Sequence, residues 1–214
     1  MKFRWLGHSA VELEDRGKTV VVDPFTDEPT KPDVICLTHG HSDHVGSTMD
    51  LARKHGSKVV AIFELANYLR SKGVDATGIN MGGTFKTGDI EISMVEAKHS
   101  SSITEGDDTI YAGEPCGYVV RGSRTVYHAG DTSLFSDMRL IKELYAPDLS
   151  FLPVGGFYTM DERQALMAAE LLGSRVIVPI HYDTFDVIRT DLELLKENLR
   201  ERLLVPERGK IYEV

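Results

Sequence analysis

Val34-Ile-Cys-Leu37-Thr38-His39-Gly40-His41-Ser42-Asp43-His44 is the stretch on which the reading of the chain turns. It begins as a short apolar run of the kind that forms a buried strand. It passes at once into three imidazoles and a carboxylate within six positions. Residues two apart on extended backbone point the same way, so His39 and His41 can converge on one cation. A turn after them would redirect Asp43 and His44 to a second cation beside the first. Imidazole nitrogen and carboxylate oxygen suit zinc and related divalent ions, with bonds of about 2 Å. The plain alternative is a solvated polar loop leading into a helix. Four potential ligands in so short a run make that a poor account.

Working outward, the first third alternates like strands. Phe3 to Leu6, Ala10 to Leu13 and Thr19 to Val22 are separated by Gly7, Gly17 and Asp23-Pro24. After the cluster come a short helix from Gly46 to His55, a strand at Lys58 to Ala61, and a helix from about Glu64 to Ser71, stopped at Gly73. Ile90 to Val95 alternates before Ala97-Lys98-His99, and a long polar loop follows from Ser100 to Pro115. Gly117 to Val120 and Thr125 to His128 flank Gly122-Ser123 as a hairpin. The last third predicts helices over 137–145, 161–172 and 186–202, between strands at Leu149 to Leu152 and Arg175 to Val178. Thr159-Met-Asp-Glu162 fits a capping box. There is no repeat, no low-complexity segment and no linker that marks a boundary, so one domain over 1–214 is expected. The class is α/β, and the order of strands then helices in each half suggests two similar halves packed face to face.

One loop rarely completes two coordination spheres. Three further residues stand out by context: His99, Asp131 in Tyr127-His-Ala-Gly-Asp-Thr132, and His181 in Val178-Pro-Ile-His-Tyr-Asp183. Each lies just beyond a strand, where α/β proteins place groups that touch ligands. A lone histidine after a strand is more often a core or surface residue, but these gain from one another and from the first cluster. His8 sits in Gly7-His8-Ser9 and either approaches the site or caps a turn. His128 reads as packed beside the site, and Tyr182 and Asp183 as able to orient His181. Gly155-Gly156 fits a close backbone approach to a ligand or a plain turn. His55, at a helix end, reads as a surface residue favoured by the helix dipole.

Composition limits the function. With 24 basic and 33 acidic residues, a net charge of -9 and no basic stripe, the chain lacks an electrostatic footprint for nucleic acid. Cys36 and Cys116 are the only cysteines. Cys36 lies inside an apolar run, which suits a reducing cytoplasm better than a disulfide framework. There is no signal-peptide pattern, and no apolar stretch nears the roughly 18 residues that span a membrane.

Taken in order, His39-Gly-His-Ser-Asp-His44, His99, Gly130-Asp131-Thr132 and His181 resemble the metallo-β-lactamase superfamily, over most of the chain. Trp5-Leu-Gly-His-Ser-Ala10, Val22-Asp-Pro-Phe25, Gly113-Glu-Pro-Cys-Gly-Tyr118 and Leu152-Pro-Val-Gly-Gly-Phe157 narrow the likeness. They look like small bacterial and archaeal metal-dependent hydrolases similar to L-ascorbate-6-phosphate lactonase. The resemblance implies an αββα four-layer sandwich with a dinuclear site at the edge between the sheets. His39, His41 and His99 would hold the first metal; Asp43, His44 and His181 the second; Asp131 would bridge both. It hints at a homo-oligomer, for which the sequence shows no interface stripe. His41 stands where redox di-iron relatives carry Glu, so oxygen reduction is disfavoured. The basic, Gly-rich exosite segment of tRNA-processing nucleases is absent.

The chemistry expected is hydrolysis by a hydroxide bridging two divalent ions, zinc by default, with manganese, iron or nickel also compatible with such ligands. The substrate is a small ester, lactone or phosphoester, and Asp131, Asp43 and His8 serve the reaction. A phosphodiesterase or nuclease on the same metals is the second reading. A metal-binding protein without catalysis is the third, and the full ligand set argues against it.

Overall fold

The computed structural model describes residues 1–25 and 30–214. Its first sheet holds β1 (Lys2–Gly7), β2 (Ala10–Asp15), β3 (Lys18–Val22), β4 (Val34–Cys36), β5 (Lys58–Ile62) and β6 (Ala76–Ile79) in sequence order. Three helices lie along this part of the chain: α1 (Ser42–Val45), α2 (Thr48–His55) and α3 (Phe63–Ser71). The second sheet uses β7 (Thr84–Thr87) and β8 (Ile90–Glu96). A separate hairpin of β9 (Ser102–Glu105) and β10 (Asp108–Tyr111) follows. The second sheet then continues with β11 (Cys116–Arg121), β12 (Thr125–His128), β13 (Leu149–Pro153) and β14 (Val176–Ile180). Helices α4 (Met138–Tyr145), α5 (Glu162–Leu172) and α6 (Glu193–Leu199) are interleaved, and β15 (Ile211–Glu213) closes the edge beside β1.

The sheets repeat one plan. In the first, β1, β2 and β3 pair antiparallel and β3 to β6 parallel. In the second, β7, β8, β11 and β12 pair antiparallel and β12 to β14 parallel. This is the expected pair of similar halves.

Side-chain alternation explains why the sheets stack. Tyr118, Val120, Val126 and Phe151 join Phe3, Val11, Leu13 and Val20 in one core between the sheets. The rings of Phe3 and Phe151 meet edge to face at 5.2 Å between centroids. The intervening Val119, Tyr127 and Leu152 point the other way and pack under Ile141, Ala165, Ala169 and Leu195 of α4, α5 and α6. Leu65, Ala66 and Leu69 of α3 cover the first sheet. The layers are helix, sheet, sheet, helix, the αββα sandwich.

Several local readings change. The stretch 100–115 is not all loop, because β9 and β10 pair in register from Ser102 with Tyr111 to Glu105 with Asp108. β10 is exposed throughout, so it carries no apolar alternation to announce it. The capping box is replaced by Asp161, whose carboxylate accepts from the Gln164 N–H at 2.8 Å. The helix foreseen over 186–202 is broken, with α6 beginning only after Leu192 at φ +60°. Gly155 is small because the His181 carbonyl lies 2.5 Å from where its Cβ would stand. Among the described residues no helix is long and apolar enough to cross a membrane.

Candidate metal centre

Strand ends deliver the site. β4 runs into His39, His41, Asp43 and His44; β8 leads to His99, β12 to Asp131 and β14 to His181. His8 follows β1 directly and Asp23 follows β3. All seven expected ligands and His8 come together.

Asp131 is the hub. Its Oδ2 lies 3.0 Å from His181 Nε2, 3.4 Å from His44 Nε2 and 3.6 Å from His99 Nε2. His39 Nε2 stands 2.9 Å from His41 Nδ1, and the His99 ring centroid lies 5.2 and 5.3 Å from theirs. Asp43 Oδ2 is 3.9 Å from both His44 Nε2 and His181 Nε2. The donor atoms fall into three overlapping sets, each with its atoms within 4.8 Å of one another. They are His39, His41 and His99; His8, Asp43, His44 and His181; and His39, His44 and Asp131. The last set shares His39 with the first and His44 with the second, so Asp131 lies between the two.

The donor set fits divalent cations. Asp131 Oδ1, His44 Nε2 and His181 Nδ1 are buried without a hydrogen-bond partner, a costly arrangement for polar atoms with nothing to bind. Burial pushes His39 well down and His41 and His99 down, which keeps these imidazoles neutral and able to donate a lone pair. Burial also presses on His44, but Asp131 and then Asp23 outweigh it and hold this imidazole well above its ordinary value. Asp131 stays ionised despite burial because His44 and His181 face it. Burial raises Asp43, yet the bond from His8 and the charge of His44 bring it down to about 2.

A second ring of contacts aims the imidazoles. Asp23, fully buried, accepts from His44 Nδ1 at 2.8 Å and from the Thr38 hydroxyl at 2.7 Å. The Thr38 oxygen in turn lies 3.0 Å from His39 Nδ1 and can accept its proton. One carboxylate therefore fixes a histidine in each of two sets and leaves both Nε2 atoms facing the centre. The Thr38 N–H also donates to Asp23 at 2.9 Å. Asp-Pro after a strand reads as a turn, and nothing in the sequence pattern marks Asp23 as a partner of the cluster.

His8 Nε2 lies 3.2 Å from Asp43 Oδ2, and its Nδ1 lies 2.9 Å from the Thr184 hydroxyl. Its backbone is left-handed, at φ +51°, and its carbonyl accepts from His181 N–H at 3.1 Å and from Trp5 Nε1 at 2.9 Å. His181 is also left-handed, at φ +53°. Two strained residues thus brace each other beside the centre. His128 is packed, as expected: it accepts from Gly130 N–H at Nδ1 and donates from Nε2 to the Ser9 carbonyl. Tyr182 and Asp183 do not orient the His181 ring, whose Nδ1 is unpartnered. Tyr182 stacks on Trp5, and Asp183 accepts from Thr190 N–H, so both shape the loop instead. His55 ends α2 before Gly56, as foreseen.

Gly40 shows why the motif needs its glycine. A Cβ there would stand 2.5 Å from Ala112 Cβ and 3.0 Å from the Ser102 carbonyl oxygen. The β9–β10 hairpin rests on this point, and Gly40 N–H donates to Ser101 Oγ at 3.2 Å. Gly40→Ala should lower stability by about 1–3 kcal/mol, the cost of overpacking. Urea unfolding checks this, and an unchanged midpoint would mean that the hairpin gives way freely.

Above the cluster opens a cavity of about 570 Å³, within the range of small-molecule sites. His41, Asp43, His99, Asp131 and His181 form its floor, and Ser100, Ser102, Thr104, Tyr158, Phe185 and Val187 stand around it.

Comparison with known proteins shows the family and the fold. The family model described as a beta-lactamase superfamily domain matches residues 2–181. A UPF0173 metal-dependent hydrolase of Methanosarcina mazei is 43% identical over 213 residues, covering 95% of this chain and 92% of that protein. Another from Geobacillus thermodenitrificans is 46% identical over 202 residues, with 89% of each covered. Among solved structures, the metallo hydrolase Igni18 of Ignicoccus hospitalis superposes with a TM-score of 0.88 at 35% identity, over 100% of this chain and 98% of its own.

Proposed function

The chain belongs to the beta-lactamase superfamily, as one of its small metal-dependent hydrolases, and from that footing we propose that it hydrolyses a small ester, lactone or phosphoester with two divalent cations, zinc by default. The observation that carries this is Asp131, whose Oδ2 lies within 3.6 Å of imidazoles from three separate segments while its Oδ1 has no partner. A carboxylate so placed is suited to span two ions. His39, His41 and His99 would hold the first, and Asp43, His44 and His181 the second. When bound, such ions make water nucleophilic near neutral pH and polarise the attacked oxygen.

The chain's own residues do the rest. Asp131 orients the attacking water, and Asp43 stands on the open side of the centre, with its side chain 27% exposed, where substrate arrives. His8 serves through Asp43, as the donor that keeps this carboxylate aimed and ionised. Buried Cys36 and Cys116 stay free, in keeping with work in the cytoplasm.

A panel on the zinc-loaded protein tests the reading: a simple ester, a sugar lactone, a homoserine lactone, a phosphomonoester and a phosphodiester. Cleavage of an ester, lactone or phosphomonoester, lost on chelation and regained with metal, is expected. Turnover of the phosphodiester alone would replace the reading by the phosphodiesterase one. His8→Ala should lower kcat/KM by about 10- to 100-fold, the usual size of a second-layer effect on a metal site. His8→Gln, which keeps a donor near Asp43, should recover part of it. Equal losses in the two variants would show that the ring, not its hydrogen bond, matters.

A further inference from the structure

We propose that the cavity selects a substrate whose distal part, the part away from the scissile bond, is an uncharged alkyl or aryl group seated against Phe185, Val187 and Tyr158. This rests on the hydrolase reading of the same site and narrows it to neutral esters and lactones.

The first observation is the charge of the walls. Among the described residues no lysine or arginine lines the cavity. Residues 26–29, Thr-Asp-Glu-Pro, hold no cationic side chain either. Lys98, next to His99 in sequence, faces a neighbouring cavity with Glu114 and is paired there with Glu96. A distal carboxylate or phosphate would therefore lose its water and gain no ion pair. The chain's net charge of -9 adds repulsion on approach. Cations at the floor would be engaged by the reacting group and cannot serve a distal one.

The second observation is apolar surface held out of the core. Tyr158, Phe185 and Val187 are 56%, 41% and 51% exposed, whereas most large apolar side chains among the described residues are buried in the cores. They come from two separate loops, after β13 and after β14, and converge on one cavity. Ring contacts accompany both aromatics. Phe185 meets His8 edge to face at 5.5 Å and Phe25 at 6.3 Å, and Tyr158 meets Phe157 at 4.7 Å. Exposed apolar groups that converge on one polar-floored cavity are what a ligand buries. Ser100, Ser102 and Thr104 supply neutral hydroxyls for the ester or lactone oxygens. In the reaction one water is consumed, the acyl C–O bond breaks, and the alcohol oxygen leaves with a proton as the acid is released.

Two measurements decide it. The first compares 4-nitrophenyl acetate, butyrate and hexanoate with the mono-4-nitrophenyl ester of adipic acid, which ends in a carboxylate. Wild-type kcat/KM should rise about two- to threefold per added methylene, a partial share of full burial, and the adipate should fall at least about tenfold below the hexanoate. Phe185→Ser should lower the hexanoate-to-acetate ratio. Val187→Lys should raise the adipate-to-hexanoate ratio at least about tenfold. A flat chain-length series, or an adipate as good as the hexanoate, overturns the proposal. The second needs no turnover: the neutral fluorophore N-phenyl-1-naphthylamine, titrated into metal-free and zinc-loaded protein. Saturable binding displaced by hexanol and weakened by Phe185→Ser is expected, and no binding overturns the proposal. If no ester or lactone is cleaved while the fluorophore binds as described, the reaction assigned to the site fails and the apolar subsite stands.

Discussion

Asp131→Ala should lose more than about 10³-fold in kcat/KM and bind fewer than two equivalents of zinc. Residues that only orient a metal ligand cost 10- to 100-fold when removed, and Asp131 faces the shared centre directly, so the loss should exceed that range. The geometry makes the effect specific. Asp131 Oδ2 is the oxygen nearest to imidazoles from three segments, at 3.0, 3.4 and 3.6 Å. No neighbour can stand in for it, because Asp43 lies 3.9 Å from the closest of the same nitrogens and is already engaged with His8. Asp131→Asn keeps the shape and one oxygen but removes the charge, so it should bind metal more weakly than the wild type and better than the alanine variant. Circular dichroism of the metal-free proteins separates this from unfolding. Full zinc content with activity within about tenfold of wild type in Asp131→Ala would remove Asp131 from the centre of the mechanism.

The cluster was legible because candidate metal ligands follow spacing and strand-end rules that can be read along the chain. His39, His41, Asp43 and His44 follow an apolar strand, and His99, Asp131 and His181 each sit just past another. What surrounds them was not legible, and the reasons differ. The β9–β10 hairpin presents mostly polar or exposed residues, so its strands lack the inward apolar face that marks a strand. Val187 lies in the stretch 186–202 that reads as helix, but only a 3-10 turn over Asp186–Ile188 forms there and left-handed Leu192 delays α6, so Val187 and the preceding Phe185 stand over the cavity. Sequence pattern reports what is buried in the core. It is silent on apolar side chains held out for a ligand.

Asp23 is the sharpest case of a residue whose role only the fold reveals, and its removal should be the second large effect. Its carboxylate, fully buried, receives His44 Nδ1, the Thr38 hydroxyl and the Thr38 N–H at 2.8, 2.7 and 2.9 Å. Through Thr38 it also reaches His39 Nδ1. Asp23→Ala would leave these donors buried and unpaired. Breaking a buried charged pair costs about 3–5 kcal/mol, and for a domain of this size that lowers Tm by roughly 6–20 °C. The same change frees both imidazoles to rotate, so zinc affinity should fall by about 10- to 100-fold at each site rather than at one. Thr38→Val separates the two branches. It cuts the path from Asp23 to His39 but spares the bond to His44, so it should weaken the site built on His39 more than the site built on His44. Stepwise zinc titration followed by calorimetry resolves the two events. Equal weakening of both sites by Thr38→Val, or an Asp23→Ala protein as stable and as tightly metallated as the wild type, would show that the imidazoles are held by their own packing and not by the shared carboxylate.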